Sequence, residues 1–358
     1  MHKTAFRIGI ATIVALAGLS SAGYAQNCKP GPTLTTFDAP SSTVTAPYAI
    51  NPAGQITGWY YVNVGEGRVA LGFLRQTDGT LITFDVANAH YAVFPNGINA
   101  AGEIVGAYSY SANNFIWHGF LRDANGTITT FNVPGATSTW PNAIDEAGDA
   151  VGYYTNATPG FKGFLRYANG TFTTIDVPDS TSAFPTAMNP AGDTVGSYGD
   201  ATGLQHGFLR YANGTFTTFD APGSTSPSPI AINSADDVVG SYTDATGHEH
   251  GFLWQANGTL TTIDVPGSTW TAAFGINPAG QIVGVYNAPP MQLRAFSGFL
   301  REPDGTFRNL DNDSSSAETW ATAINPAGEI TGYRTTPLAD HGFLISYSKC
   351  PDVDGADQ

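Results

Sequence analysis

The densest run of ionisable residues in this chain of 358 is Asp244-Ala245-Thr246-Gly247-His248-Glu249-His250. Extended, it would point His248 and His250 to one side, two residues apart, as a pair of metal ligands would be. Two imidazoles make an incomplete site, so a solvated loop is the preferred reading and no metal is expected. The acidic run from Asp352 to Asp357 lacks the ligand pattern and closing Glu of a calcium loop. No GxSxG, HExxH, P-loop or dinucleotide fingerprint occurs, so no cofactor is expected either. The ionisable residues that break the local pattern are Glu66, Arg68, His90, Lys162, Asp179, His248, Glu249, Arg294, Glu318 and Arg334, spread along the chain. An enzyme would need an acid and a base, or a base and a charge neutraliser, brought together from among them.

Aromatic residues offer a different chemistry. Five positions before an Asn or Asp that recurs seven times stand Ala46, Phe94, Trp140, Phe184, Ser228, Ala272 and Trp320. Four of the seven are flat rings, which suit sugar rings or other planar ligands. Tyr48, Tyr91, Trp270 and Phe274 lie nearby. Pro47, Pro95, Pro141, Pro185 and Pro229 follow directly, so the same rings could instead pack as core at a tight corner. Phe94, Trp140, Phe184 and Trp320 are therefore the candidate ligand-binding residues.

These positions belong to an internal repeat. A Gly-Phe pair recurs with its Phe at 73, 120, 164, 208, 252, 299 and 343, and an AIN-like triplet ends at 51, 99, 145, 189, 233, 277 and 325. One unit reads as four short strands. Thr186–Asn189 is followed by a Pro190-Ala191-Gly192 turn; Asp193–Tyr198 carries Gly196 mid-strand, where a second backbone should approach closely. His206–Tyr211 leads through Asn213-Gly214 into Thr215–Asp220, whose Thr and Phe alternate with period two. This predicts an all-β, seven-bladed β-propeller of four-stranded antiparallel blades. The chain opens on a lone fourth strand, 33–38, and closes on a unit lacking one, so the first strand should complete the last blade. A stacked solenoid has no need of that phase. Equivalence between repeats sets Phe208 opposite Phe219 and Phe343 opposite Phe37.

The HGFLR, HGFLW and AINPAGQIVG segments resemble the bacterial extracellular HAF-repeat family over all seven units. Gly stands where the family has Ala, and Arg usually stands where it has Trp, with Trp kept at Trp254. The resemblance implies export and repeat architecture, and no activity.

Residues 1–25 read as a Sec-type signal peptide: Lys3 and Arg7, an apolar stretch from Ile8 to Leu19, and a small-x-small site at Gly23-Tyr24-Ala25. That stretch is too short for a membrane anchor. A single domain is expected over 26–350, with an acidic tail over 351–358, secreted or periplasmic. Without the signal, 12 basic residues face 29 acidic ones, which argues against nucleic acid or anionic lipid as partner. Cys28 and Cys350 form an even pair in an oxidising compartment and should bridge. The functional expectation is a non-catalytic binding module, with a glycan or another extracellular ligand on an aromatic rim. The alternative is a propeller-type polysaccharide lyase or glycoside hydrolase.

Overall fold

The structure is a computed structural model. It describes residues 31–347 other than 66, 88, 90, 111–115, 288–295 and 312–317. Cys28, Cys350, the signal segment, the acidic tail, Glu66, His90 and Arg294 lie outside the described residues. Within them the chain is all β, with no helix.

Each repeat folds as four antiparallel strands. In the fourth repeat these are Ser180–Met188, Thr194–Asp200, Gln205–Arg210 and Phe216–Phe219, paired in that order. Four repeats stand as separate four-stranded sheets. The other strands belong to one mixed, 12-stranded sheet, where the expectation was a separate sheet for each repeat. Single parallel pairs, Val44 with Asp340 and Ala70 with Ala92, join antiparallel groups in it. The second of these follows from the long first-repeat hairpin, Ile56–Val64 and Gly67–Arg75, which carries Ala70 alongside Tyr91 and Ala92.

As expected, the opening strand Pro32–Phe37 pairs antiparallel with the closing strand Asp340–Tyr347. The register differs by one residue from the expected one. Phe37 lies opposite Gly342 and Thr36 opposite Phe343, just as Phe219 lies opposite Gly207 and Thr218 opposite Phe208. The cause is steric. A Cβ on Gly207 would strike the Phe219 ring, so the glycine of the Gly-Phe pair is the gap that the fourth-strand ring covers. The Phe beside it turns to the other side of the sheet and is buried at 0–1% exposure in all seven repeats. Truncating one of these to Ala would cost about 3–5 kcal/mol.

Every first strand carries a bulge after its aromatic or small residue, as between Pro185 and Ala187. Gly196 in the second strand permits it, because a Cβ there would collide with the carbonyl of Phe184. This is the close backbone approach expected at that glycine. The bulged residues, Thr186 and its equivalents, turn inward to line a central cavity. Several bond to the next repeat: the amides of Asn96 and Asn142 donate to the carbonyls of Pro141 and Pro185, both at 2.7 Å. The hydroxyl of Thr322 in the last repeat donates to Pro47 in the first at 3.1 Å.

Candidate functional site

Three repeat positions, in or just before strands, place rings over the same region. The first is the first-strand position read from the sequence. The second is the residue after the mid-strand glycine of the second strand, which pairs directly with it: Trp140 with Tyr153, Trp320 with Tyr333, Ala46 with Trp59. The third lies two residues before the glycine of the Gly-Phe pair and includes Trp117, Phe161 and Phe296. Only the first position was singled out from the sequence. The signal for the second was present in Gly58-Trp59, Gly152-Tyr153 and Gly332-Tyr333.

The structure brings Phe94, Trp140 and Phe184 into one cluster. Trp117 packs on Trp140 at 4.4 Å between ring centroids, and Trp140 lies parallel to Tyr153 at 6.3 Å and 11°. Phe94 contacts Trp117 and Trp140 from one side. Phe184 contacts Tyr153 and Phe161 from the other. Between them Trp117, Trp140, Tyr153 and Phe161, with Ser138 and Thr155, line a cleft of about 260 Å³. Its rings are half-buried, and Phe161 is exposed. The cleft walls carry no charge. Ser138 Oγ accepts the Trp117 backbone N–H at 2.8 Å, and Thr155 Oγ1 meets Thr137 Oγ1 at 3.0 Å. Burial, and secondarily the nearby Tyr48, pushes the Tyr153 hydroxyl pKa up, so it stays a neutral donor.

Trp320 is not part of that cluster. It stacks on Tyr333 at 5.9 Å and 6° and on Phe274 at 6.2 Å and 11°. Phe296 joins it to Trp270. This second group is edged by acid: the indole N–H of Trp320 donates to Glu318 and that of Trp270 to Glu249. Trp59 connects the two groups, since it touches Phe94 and lines the central cavity with Trp320. The expected interruption at Ala46 is thus filled from the neighbouring strand.

His248 and His250 do not act as a pair. His250 meets Asp264 through Nδ1 at 2.9 Å and Asp244 through Nε2 at 3.3 Å, while His248 Nδ1 meets the Thr246 hydroxyl. Burial lowers the His250 pKa, but the bonds to Asp264 and Asp244 outweigh it and leave it raised. His206 repeats this arrangement with Asp220 and Asp200, and His341 meets Asp38 across the chain closure. Where the third strand carries a His at this position, the Asp that ends the fourth strand is its partner, with Asn132 in that role for His118.

Four of the pattern-breaking ionisables take separate partners. Arg68 lies over Tyr61 and bonds Thr43, Glu249 and Glu318 hold indoles, and Arg334 is buried against the Leu310 carbonyl. Among the described residues no group of three or more His, Cys, Asp or Glu is placed to hold a metal.

No protein-family model matches this chain, and no curated protein matches it. Solved structures do. A catalytically inactive virginiamycin B lyase from Staphylococcus aureus, with quinupristin, is 13% identical over 88% of this chain and 99% of its own, at a TM-score of 0.56. A puromycin hydrolase is 15% identical over 86% of this chain and 54% of its own, at 0.56. An acylaminoacyl peptidase from Pyrococcus horikoshii is 10% identical over 86% and 52%, at 0.54. The fold is propeller-like. At these identities the likeness extends to the fold alone, and the aromatic cleft is a property of this chain's own residues.

Proposed function

We propose that this protein is an exported, non-catalytic binding module on a seven-bladed ring, and that it holds an uncharged sugar ring in the cleft of Trp117, Trp140, Tyr153 and Phe161. The observation that carries the reading is the cleft itself: four rings of differing tilt around an uncharged space, with hydroxyls at its edge. Sugar C–H faces pack on aromatic faces, while their hydroxyls need a few placed polar partners. A ligand held by charge would require ionic groups that this cleft lacks. The seven-bladed reading treats the mixed sheet as three blades joined by single pairs. Bonds from the last repeat back to the first support it.

The test is a glycan array with the secreted chain, run beside assays for released product. Retention of neutral hexose-containing glycans without product is the expected result. Release of reducing ends or of unsaturated sugar would replace this reading with a hydrolase or a lyase.

A further inference from the structure

The innermost strands enclose a second space. The central cavity measures about 640 Å³ and is lined by first-strand residues from every repeat, with Trp59, Phe274, Trp320 and Tyr333 among its rings. Small-molecule sites commonly run to roughly 300–1,000 Å³ with mostly apolar walls and a few polar groups. No residue lining this cavity is charged.

Its belt is the set of bulged residues, one per repeat: Tyr48, Asn96, Asn142, Thr186, Ile230, Phe274 and Thr322. The four small polar ones spend a donor on the proline carbonyl of the next repeat. Tyr48 differs. By surface area its side chain is half open to the lumen, at 53% exposure. Surrounding protein nonetheless crowds it enough that burial pushes its hydroxyl pKa up. Both hold because the ring stands in a partly open space wide enough for solvent. No protein group among the described residues accepts its O–H. With no protein acceptor, the hydroxyl bonds solvent in that space, and a guest's carbonyl could take that water's place.

We propose that the cavity is a second ligand site, separate from the cleft, for an uncharged, flat, largely apolar molecule that carries one hydrogen-bond acceptor such as a carbonyl for Tyr48. It does not rest on the sugar reading. A charged guest would lose its hydration with no counter-charge in the wall. A sugar would bring many hydroxyls to a wall whose small polar groups already spend a donor on backbone carbonyls.

The test uses two neutral, polarity-sensitive naphthalene dyes with the whole secreted chain. One, 6-propionyl-2-dimethylaminonaphthalene, has a ketone; the other, N-phenyl-1-naphthylamine, has none. Both should brighten and shift to the blue, saturating at one dye per chain. Ile230→Trp fills the lumen from the wall and should abolish both signals. Should that variant not fold, Thr186→Phe fills the same space from another repeat. Tyr48→Phe should weaken the ketone dye by about five- to tenfold, the value of one hydrogen bond, and leave the other within twofold. Trp140→Ala, in the cleft, should change neither. The proposal is overturned by absence of a blue shift, by signals that survive the filling variants, by signals lost on Trp140→Ala, or by a Tyr48→Phe effect equal for both dyes.

Discussion

Asn325 donates its side-chain amide to the backbone carbonyl of Asn51 at 3.2 Å, across 274 positions of the chain. The same bond recurs from Asn51 to Asn99, Asn99 to Asp145, Asn189 to Asn233, Asn233 to Asn277 and Asn277 to Asn325. Each Asn also accepts turn N–H groups through Oδ1, so one side chain closes its own turn and ties it to the next repeat. The relay breaks once. Asp145 Oδ1 accepts from Ala147 and Asp149 as its counterparts do, but an ionised carboxylate has no hydrogen for the Asn189 carbonyl.

Replacing Asp145 with Asn should therefore restore the missing bond. Burial raises the Asp145 pKa, so the fold favours the neutral acid. A raised carboxyl contributes stability that is present below its ordinary value of 3.8 and lost as pH rises through the folded-state value. Asp145→Asn should raise Tm by a few degrees at pH 7, for a gain of about 1 kcal/mol, and by less at pH 4. Thermal melts of both proteins at the two pH values check this; an equal gain at both would contradict it.

The histidine clamps predict a second pH effect of defined sign. Burial lowers the His206 pKa, but Asp220 and Asp200 outweigh it and leave it above 6.5. The stabilisation is complete below about pH 6.5 and fades as pH rises through the raised value. At the acid end it persists until Asp200, held down to about 2 chiefly by the Thr202 hydroxyl, takes up a proton. Tm should fall modestly between pH 6 and 8.5, as suits partly solvent-screened pairs. His206→Gln with His250→Gln should flatten that slope.

The alternation of Arg and Trp after Gly-Phe-Leu has a packing explanation. Arg75, Arg122 and Arg166 lie over Phe37, Phe84 and Phe131 of the preceding repeat at 5.1, 5.3 and 4.8 Å. Trp254 covers Phe219 in the same way, stacked at 4.8 Å and 15°. Both side chains serve as flat covers, and the buried Nε of Arg122 has no partner. Arg122→Trp should keep Tm within a few degrees by calorimetry. Arg122→Ala should lose about 2–3 kcal/mol, since the apolar stem and the stacking both go.

Much of this architecture was legible because the same small set of residues recurs. The Gly-Phe pair, the AIN-like triplet and the lone opening strand gave strand order and closure. The register differs by one residue because Asn213-Gly214 reads as a two-residue hairpin, whereas the Tyr211–Thr215 bonds enclose a three-residue loop with Gly214 at positive φ. The aromatic site was half legible. Phe94, Trp140 and Phe184 were visible as repeat-breaking rings, whereas Tyr153 sits on the second strand and Trp117 and Phe161 just before third strands, so they join only once the strands assemble. Trp320 shares the repeat position of Trp140, yet its neighbours Phe274, Phe296 and Glu318 draw it into a different setting. Equivalence by repeat fixes where a side chain starts, and its neighbours decide what it serves.

Peptide mapping without reductant tests the expected Cys28–Cys350 bridge. The last paired residues, Pro32 and Tyr347, lie four and three positions inside the two cysteines, so a bridge would extend the closing pair. A Cys28–Cys350 peptide is the expected result. Closing so long a loop would contribute about 5 kcal/mol by chain entropy, so reduction should lower Tm markedly; two free thiols in protein kept from reductant would refute it.

The cleft and the cavity make opposite demands on two tryptophans that share one repeat position. Trp140 has Trp117 at 4.4 Å and lines the cleft, while Trp320 lies between Phe274 and Tyr333 and lines the cavity. Trp140→Ala removes one wall of the cleft and should weaken binding of a neutral glycan at least about tenfold, roughly 1.4 kcal/mol. Trp320→Ala should leave that binding within twofold. Both rings are half-buried, so each change should lower Tm by only a few degrees, far less than loss of a fully buried ring such as Phe164. Titration calorimetry with a glycan retained on the array, beside melts of the same samples, separates the outcomes. Equal losses from both variants would mean that one continuous rim binds the sugar. A large fall in Tm on Trp140→Ala would mean that the cleft rings are core, and the binding site would have to be sought elsewhere.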